Sequence, residues 1–147
     1  MAEEPNRTPA PTAAIILAAG RSRRMNSDVP KVLHDVLGLP LVEYVVRAAL
    51  AVGAERVVLV ANPSNEEALR KALSHHEQVT IAVQTEPKGT GDAVLRAKDA
   101  LAGFDGEVLI IFGDTPLASH ETMKAMVDAC RDDEVSVVVL GFDPLSP

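Results

Sequence analysis

Five short apolar runs rich in Val and Ile punctuate the chain: residues 13–18 (AAIILA), 56–61 (RVVLVA), 79–84 (VTIAVQ), 107–112 (EVLIIF) and 135–142 (VSVVVLGF). Each is nearly continuous rather than alternating, which is the pattern of a strand buried on both faces. Between them the period changes. In LVEYVVRAAL (residues 41–50), Val42, Val45, Val46, Ala49 and Leu50 share one face, with Glu43 and Arg47 paired at i,i+4 on the other. Ser64 followed by Glu67 reads as a capping box opening a helix over NEEALRKAL. A helix over residues 92–101 turns Ala93, Val94, Ala97 and Leu101 inward, and a last one does the same with Met123, Met126, Val127 and Cys130.

Strand and helix therefore alternate, and this order predicts an α/β fold with a mostly parallel sheet covered by helices on both faces. Residues 1–12 (MAEEPNRTPAPT), acidic and Pro-rich, read as a flexible N-terminal arm, and residues 13–147 as one domain. That opening is not a secretory signal, which needs a basic start and a longer apolar stretch. No apolar run approaches the ~20 residues of a membrane helix.

Charge and composition narrow the function classes. With 14 basic against 21 acidic residues and a net charge of -7, the chain is a poor general binder of nucleic acid or anionic membrane. Tyr44, Phe104, Phe112 and Phe142 are its only aromatic residues, too few for a base-stacking platform. The single cysteine, Cys130, rules out an internal disulfide and fits a reducing cytoplasm.

Ligands of open α/β sheets bind beyond the carboxyl ends of the strands, and the unusual stretches of this sequence follow strands. GRSRRMNSDVPK (residues 20–31) follows the first, QTEPKGTGDA (84–93) the third and GDTPL (113–117) the fourth. In the first loop, Gly20 permits a sharp turn and close approach by a phosphate. Arg21, Arg23 and Arg24 offer planar forks for phosphate oxygens, and Lys31 adds a point charge. A solvated Arg-rich loop is the plain alternative, but a cationic cluster between an apolar strand and a helix of an acidic protein favours an anion site. The loop matches neither G-x-x-x-x-G-K-[ST] nor G-x-G-x-x-G, since Ser22 and Met25 stand where glycines are required.

In the second loop, Gly89, Thr90 and Gly91 remove bulk where a helix begins, and Gln84 and Thr90 can hydrogen-bond a base edge. A helix entry capped by Thr90 explains the same residues equally well. Asp114 ends an apolar strand at the sheet edge, where a carboxylate suits Mg2+, which is held by one or two protein carboxylates plus substrate phosphates. Asp92, next to the Gly89 loop, is placed to touch substrate, and a first-turn helix acid favourable to the dipole explains it equally well. His75 and His76, adjacent and thus on different faces of a regular element, read as surface residues. His34 and His120 are isolated, and Ser22 and Ser27 have no His partner for a nucleophilic triad.

LAAGRSRRMNSDVPK (residues 17–31) resembles the L-A-A-G-x-G-T-R-M-x(5)-P-K signature of sugar-1-phosphate nucleotidylyltransferases. With QTEPKGTGDA and FGDTPL, the chain is most similar to the uridyltransferase half of the GlmU family, the bifunctional N-acetylglucosamine-1-phosphate uridyltransferase/glucosamine-1-phosphate acetyltransferases. The likeness runs from Ala13 to Phe142. It implies a Rossmann-like nucleotidyltransferase fold and the Mg2+-dependent reaction of UTP with N-acetylglucosamine 1-phosphate to UDP-N-acetylglucosamine and pyrophosphate. That product serves bacterial peptidoglycan and lipopolysaccharide synthesis.

By motif match, the resemblance assigns Arg24 and Lys31 to catalysis on the triphosphate. Leu17, Ala18, Ala19, Gly20 and Lys31 would border the nucleotide, Gln84, Gly89 and Thr90 would read uracil, and Asp114 would bind Mg2+. Ser22 replaces the family's second glycine, Arg23 its threonine, and Asp92 stands where many relatives carry His. The family's later sugar-binding residues, an Asn completing the Mg2+ site and the trimer-forming β-helix acetyltransferase domain have no counterpart in the 147 residues. The expectation is a partial domain with an incompletely covered sheet edge and weak or absent turnover. A non-catalytic nucleotide-binding module and a sister guanylyl- or cytidylyltransferase are the alternatives.

Overall fold

The computed structural model describes residues 10–20, 27 and 29–141. Strands β1 (Thr12–Leu17), β4 (Ala54–Ala61), β5 (Val79–Val83) and β6 (Glu107–Phe112) form one parallel sheet in the order β5-β4-β1-β6. Ile16 lies opposite Leu59 on one side and Ile111 on the other. Between β1 and β4 the chain makes a small antiparallel hairpin, β2 (Asp35–Val36) with β3 (Leu39–Pro40). Its two-residue turn takes Leu37 to φ 51° and Gly38 to φ 85°, the positive pair that a tight hairpin turn demands. The run of residues 35–40 is too short and irregular to show this hairpin in the pattern of the chain.

Helices α1 (Leu41–Ala51), α2 (Glu66–Ala72), α3 (Thr90–Arg96) and α4 (His120–Cys130) cover the sheet. On one face, Val42, Val45, Val46 and Ala49 of α1 and Leu69 of α2 pack on Ala14, Ile16, Val57 and Leu59. On the other, Ala93 and Ala97 pack on Ile15, Val58 and Val60. Met123 and Val127 of α4 close over Leu109. Burying one such aliphatic side chain stabilises by roughly 1.5–3 kcal/mol, so these three clusters dominate the fold. Gly106 has no room for a side chain: a Cβ there would stand 2.0 Å from the Pro11 carbonyl oxygen.

The structure differs from the pattern-based expectations at five points. Residues 135–141 form no strand: Val137, Val139 and Leu140 are exposed, and no described strand lies beyond β6 to pair with them. Correspondingly Val108, Ile110 and Phe112 of β6 are about half exposed: they share the face of Ile15 that α3 covers, but α3 does not extend over this edge strand. The Ser64–Glu67 capping box does not form, because the Ser64 hydroxyl donates to Asn62 Oδ1 and Asn65 occupies the N-cap. Thr90 is not a cap either; Gly89 takes that position at φ 103° and Thr90 is the first helical residue. The helix expected over residues 92–101 runs from Thr90 only to Arg96, and Asp99–Leu101 follow as a separate 3-10 turn.

The fifth difference concerns charge. Glu43 pairs with Arg47 as anticipated, but on a buried site: it is only 2% exposed. His75 and His76 stand in an irregular turn after α2, so the rule that neighbours diverge does not apply. Both rings meet the Glu43 carboxylate, and the His76 side chain is mostly buried.

Candidate functional site

The carboxyl ends of β1, β4, β5 and β6 lie together, and the strand order reverses direction at β1, between β4 and β6. That reversal is where open α/β sheets leave a crevice. Leu17 ends β1, and Ala18 extends its pairing by one more bond, donating to Val60 O at 2.9 Å.

Two asparagines from the β4–α2 turn then take hold of the departing chain. Asn65 Nδ2 donates to Ala18 O at 2.9 Å, and Asn62 Nδ2 donates to Ala19 O at 3.0 Å. Asn65, only 1% exposed, also accepts from the Asn62 backbone N–H at 2.9 Å through its Oδ1. Asn62 Oδ1 in turn accepts from the backbone N–H groups of Ser64 and Asn65. The negative ends of two peptide dipoles are thereby covered where the loop leaves the sheet, which favours an anion nearby. The sequence reading missed both residues; the signal was the pair of turn-forming asparagines in NPSN directly after a strand.

Beside this junction opens a cleft of about 330 Å³ lined by Ala19, Asn62, Ser64, Gln84, Thr85 and Pro87, with Pro63. Gln84, 7% exposed, donates through Nε2 to Gly89 O at 3.0 Å and to Asp92 Oδ2 at 2.8 Å. Both amide hydrogens are spent on these bonds, so its carbonyl oxygen is the group left to address a ligand. Asp92 is steadied from the other side by Arg96 one turn on. The Arg96 hydrogen bonds, and after them the one from Gln84, hold the Asp92 carboxyl below its ordinary pKa, and the Asp92 partner raises that of Arg96. Gly89 and Thr90 are exposed at the start of α3 and do not line this cleft.

On the β6 side of β1, Lys31 Nζ donates to Asp114 Oδ2 at 2.8 Å across 83 residues of sequence. Lys31 opens the 3-10 turn Lys31–Leu33, anchored by buried Val32. Gly113 ties the end of β6 to β1, its N–H donating to Leu17 O at 2.9 Å, and a Cβ there would be a close fit, 3.3 Å from Leu17 O. Both side chains remain partly open to solvent, 46% and 36% exposed. Asp114 thus offers one accessible carboxylate, the donor that Mg2+ takes from a protein when phosphates and water supply the rest.

Of the residues singled out in the sequence, Leu17, Ala18, Ala19 and Gly20 follow one another out of β1, Gln84 lines the cleft, and Lys31 and Asp114 meet. Arg21, Arg23 and Arg24 lie outside the described residues. No helix among the described residues is long and apolar enough to cross a membrane.

Residues 14–144 match the family described as MobA-like NTP transferase domain. The chain is 48% identical over 136 residues to the bifunctional protein GlmU of Roseobacter denitrificans, covering 92% of this chain and 30% of that protein. It is 43% identical to the bifunctional protein GlmU of a Ruegeria species, again over 92% of this chain and 30% of the relative. The chain thus spans under a third of the length of the curated relatives it matches. A nucleotidyl transferase from Methanothermobacter thermautotroptrophicus superposes with a TM-score of 0.66 at 25% identity, over 80% of this chain and 56% of that one. A Mycobacterium tuberculosis H37Rv structure shares the fold with a TM-score of 0.63 at 21% identity, over 84% of this chain and 62% of that one. A wholly parallel β5-β4-β1-β6 sheet with its polar residues gathered at the strand ends, matched along most of its length, places the chain in the MobA-like NTP transferase domain family.

Proposed function

We propose that the chain binds a uridine triphosphate at the carboxyl ends of its strands and serves transfer of the uridylyl group to N-acetylglucosamine 1-phosphate. The products are UDP-N-acetylglucosamine, for bacterial cell-wall and lipopolysaccharide synthesis in the cytoplasm, and pyrophosphate. The observation that carries this reading is the meeting of Lys31 and Asp114 at the reversal of strand order, in a chain 48% identical to a GlmU protein.

The chemistry asks little covalent work of the protein. An oxygen of the sugar phosphate forms a bond to the α-phosphorus of UTP in line with the bond from that phosphorus to the bridging oxygen, which breaks. The electron pair leaves with pyrophosphate, so no side-chain nucleophile is needed and positioning with charge stabilisation suffices. Lys31 neutralises charge on the triphosphate and the departing pyrophosphate, with Arg24 assigned the same task by motif. Asp114 would hold Mg2+, which when bound would supply further charge neutralisation on the phosphates. Leu17, Ala18, Ala19 and Gly20 pass along the nucleotide.

Gln84 lies in the cleft beside them, and Gly89 and Thr90 are assigned to the base by motif alone. With its N–H donors committed, Gln84 presents an acceptor, which matches a base carrying a ring N–H such as uracil and mismatches cytosine at the same ring position. Transfer of a guanylyl group is the second reading, because guanine also carries a ring N–H; it keeps the phosphate machinery and changes only the base.

The test is an amide-resolved NMR titration with Mg2+ and UTP, CTP or GTP in separate arms. Shifts at Ala19, Gln84 and Asp114, larger for UTP than for CTP, support the reading. Stronger shifts with GTP select the second reading. A well-dispersed spectrum unmoved by any of the three overturns both.

A further inference from the structure

We propose that Glu43, His75 and His76 form a transition-metal site, of the Zn2+ class, outside the cleft lined by Gln84. The three residues come from two places: Glu43 from the first turn of α1, and the histidines from the turn that joins α2 to β5. None of them lines the cleft.

The geometry is that of converging ligands. His76 Nε2 lies 3.0 Å from Glu43 Oε1 and 3.1 Å from Oε2, and His75 Nε2 lies 3.3 Å from Oε1. One donor atom from each residue can be chosen so that all lie within 4.8 Å of one another. Zinc bonds of about 2.0–2.2 Å in a tetrahedron separate neighbouring ligand atoms by roughly 3.3–3.6 Å, so small rotations of the three groups admit an ion between them. Two imidazoles and one carboxylate are also the donor types that borderline metals such as Zn2+ prefer, and that Mg2+ does not.

Charge balance alone does not account for the cluster. Glu43 is buried, and Arg47 Nε already donates to its Oε1 at 2.6 Å. One permanent cation neutralises one carboxylate, yet two imidazoles are turned onto the same oxygens with ring centroids only 4.1 Å apart. With a metal in place, Arg47 would keep Oε1 and orient the carboxylate, as second partners of metal ligands do. The turn is itself pinned, the His76 N–H donating to Leu73 O and the Val79 N–H to His76 O, so the two rings are held on a fixed backbone. His75, half exposed, leaves the site open to ions from solution and to water as a further ligand. Coordination uses the Nε2 lone pair of each neutral imidazole: a neutral ring protonated at Nε2 shifts that proton through solvent to Nδ1, an imidazolium releases one proton to solvent, and no electrons are exchanged.

The experiment is a Co2+ titration of the full chain after chelator treatment, followed by displacement with Zn2+. The expected result is one equivalent of Co2+ with the intense visible absorption of a four-coordinate site, bleached by Zn2+ and untouched by a large excess of Mg2+. His75→Ala, at a half-exposed position that the fold does not need, should weaken Zn2+ binding by about tenfold or more, on the scale of effects seen even for outer-shell changes. The His75→Ala/His76→Ala double variant, confirmed folded by circular dichroism, should show none. Zn2+ binding by that double variant as tight as by the parent, or a parent spectrum with only weak six-coordinate bands, overturns the site. A nucleotide titration of the same variants separates the two readings, because metal loss at this site leaves the cleft residues in place.

Discussion

Asn65→Ala tests the clamp at the start of the first loop. The side chain is 1% exposed and makes two bonds, to Ala18 O and from the Asn62 N–H, that no water can replace without opening the β4–α2 turn. Truncation leaves the buried Ala18 carbonyl unpaired and deprives the Asn62 N–H of its acceptor. An unsatisfied buried backbone group costs about 1–3 kcal/mol, so the sum is roughly 2–4 kcal/mol once partial hydration at Asn62 is allowed for. For a chain of this size that is a fall in Tm of about 6–12 °C. Asn65→Asp should be at least as damaging, because it keeps the acceptor toward Asn62 but turns a second oxygen against Ala18 O in a buried setting. The assay is urea unfolding followed by circular dichroism, with the midpoint expected to fall at an unchanged slope. A shift under about 0.5 kcal/mol for the alanine variant would show that the clamp is decorative, since surface substitutions fall in that range.

Four further outcomes follow from the same structure. Lys31→Ala should weaken Mg2+·UTP binding by roughly tenfold to a hundredfold, the worth of one charge-assisted bond, and calorimetry showing equal affinity would remove Lys31 from the site. Gly106→Ala should destabilise by about 1–3 kcal/mol or more, because a Cβ 2.0 Å from Pro11 O forces the backbone of two chain segments apart; an unchanged urea midpoint would contradict it. Leu37→Asn should instead stabilise by about 0.5–1 kcal/mol: Leu37 is 96% exposed with φ 51°, so it packs on nothing while asparagine tolerates that backbone better. The Asp92 carboxyl, lowered by Arg96 and Gln84, contributes stability that is present above its unfolded pKa and is lost as pH falls through the folded one. An NMR titration should therefore place its midpoint below 3.8, and a midpoint above that would break the Gln84–Asp92–Arg96 chain.

The four strands and the inward faces of α1 and α4 were legible because a buried parallel strand and an amphipathic helix each leave a periodic trace in the sequence. The strand expected at residues 135–142 shows the limit of that trace: an apolar run states a wish for burial, and Val137 and Val139 stay exposed where no element covers them. The loops were legible as chemistry but not as geometry. Lys31 and Asp114 were each singled out, while their pairing across 83 residues depends on β6 lying beside β1, a tertiary fact. Asn62 and Asn65 escaped because the apparent Ser64–Glu67 box offered a local explanation of the same turn. Glu43, His75 and His76 escaped because two elements separated by some 30 residues supply them, and because adjacent histidines diverge only on regular backbone.

The position of β1 explains why one strand end controls so much. It lies between β4 and β6, so the residues that leave it can be held from both neighbours. On the β4 side the two asparagine amides hold the Ala18 and Ala19 carbonyls, and on the β6 side the Gly113 N–H holds that of Leu17. Three consecutive carbonyls are thus fixed from two directions, and Gly20 follows from a rigid point. On the proposed reading, this lets a base in the Gln84 cleft and a triphosphate near Lys31 be set in register by a single segment. A loop anchored on one side only would let the two ends of the nucleotide drift apart by the ångström that an in-line displacement does not tolerate.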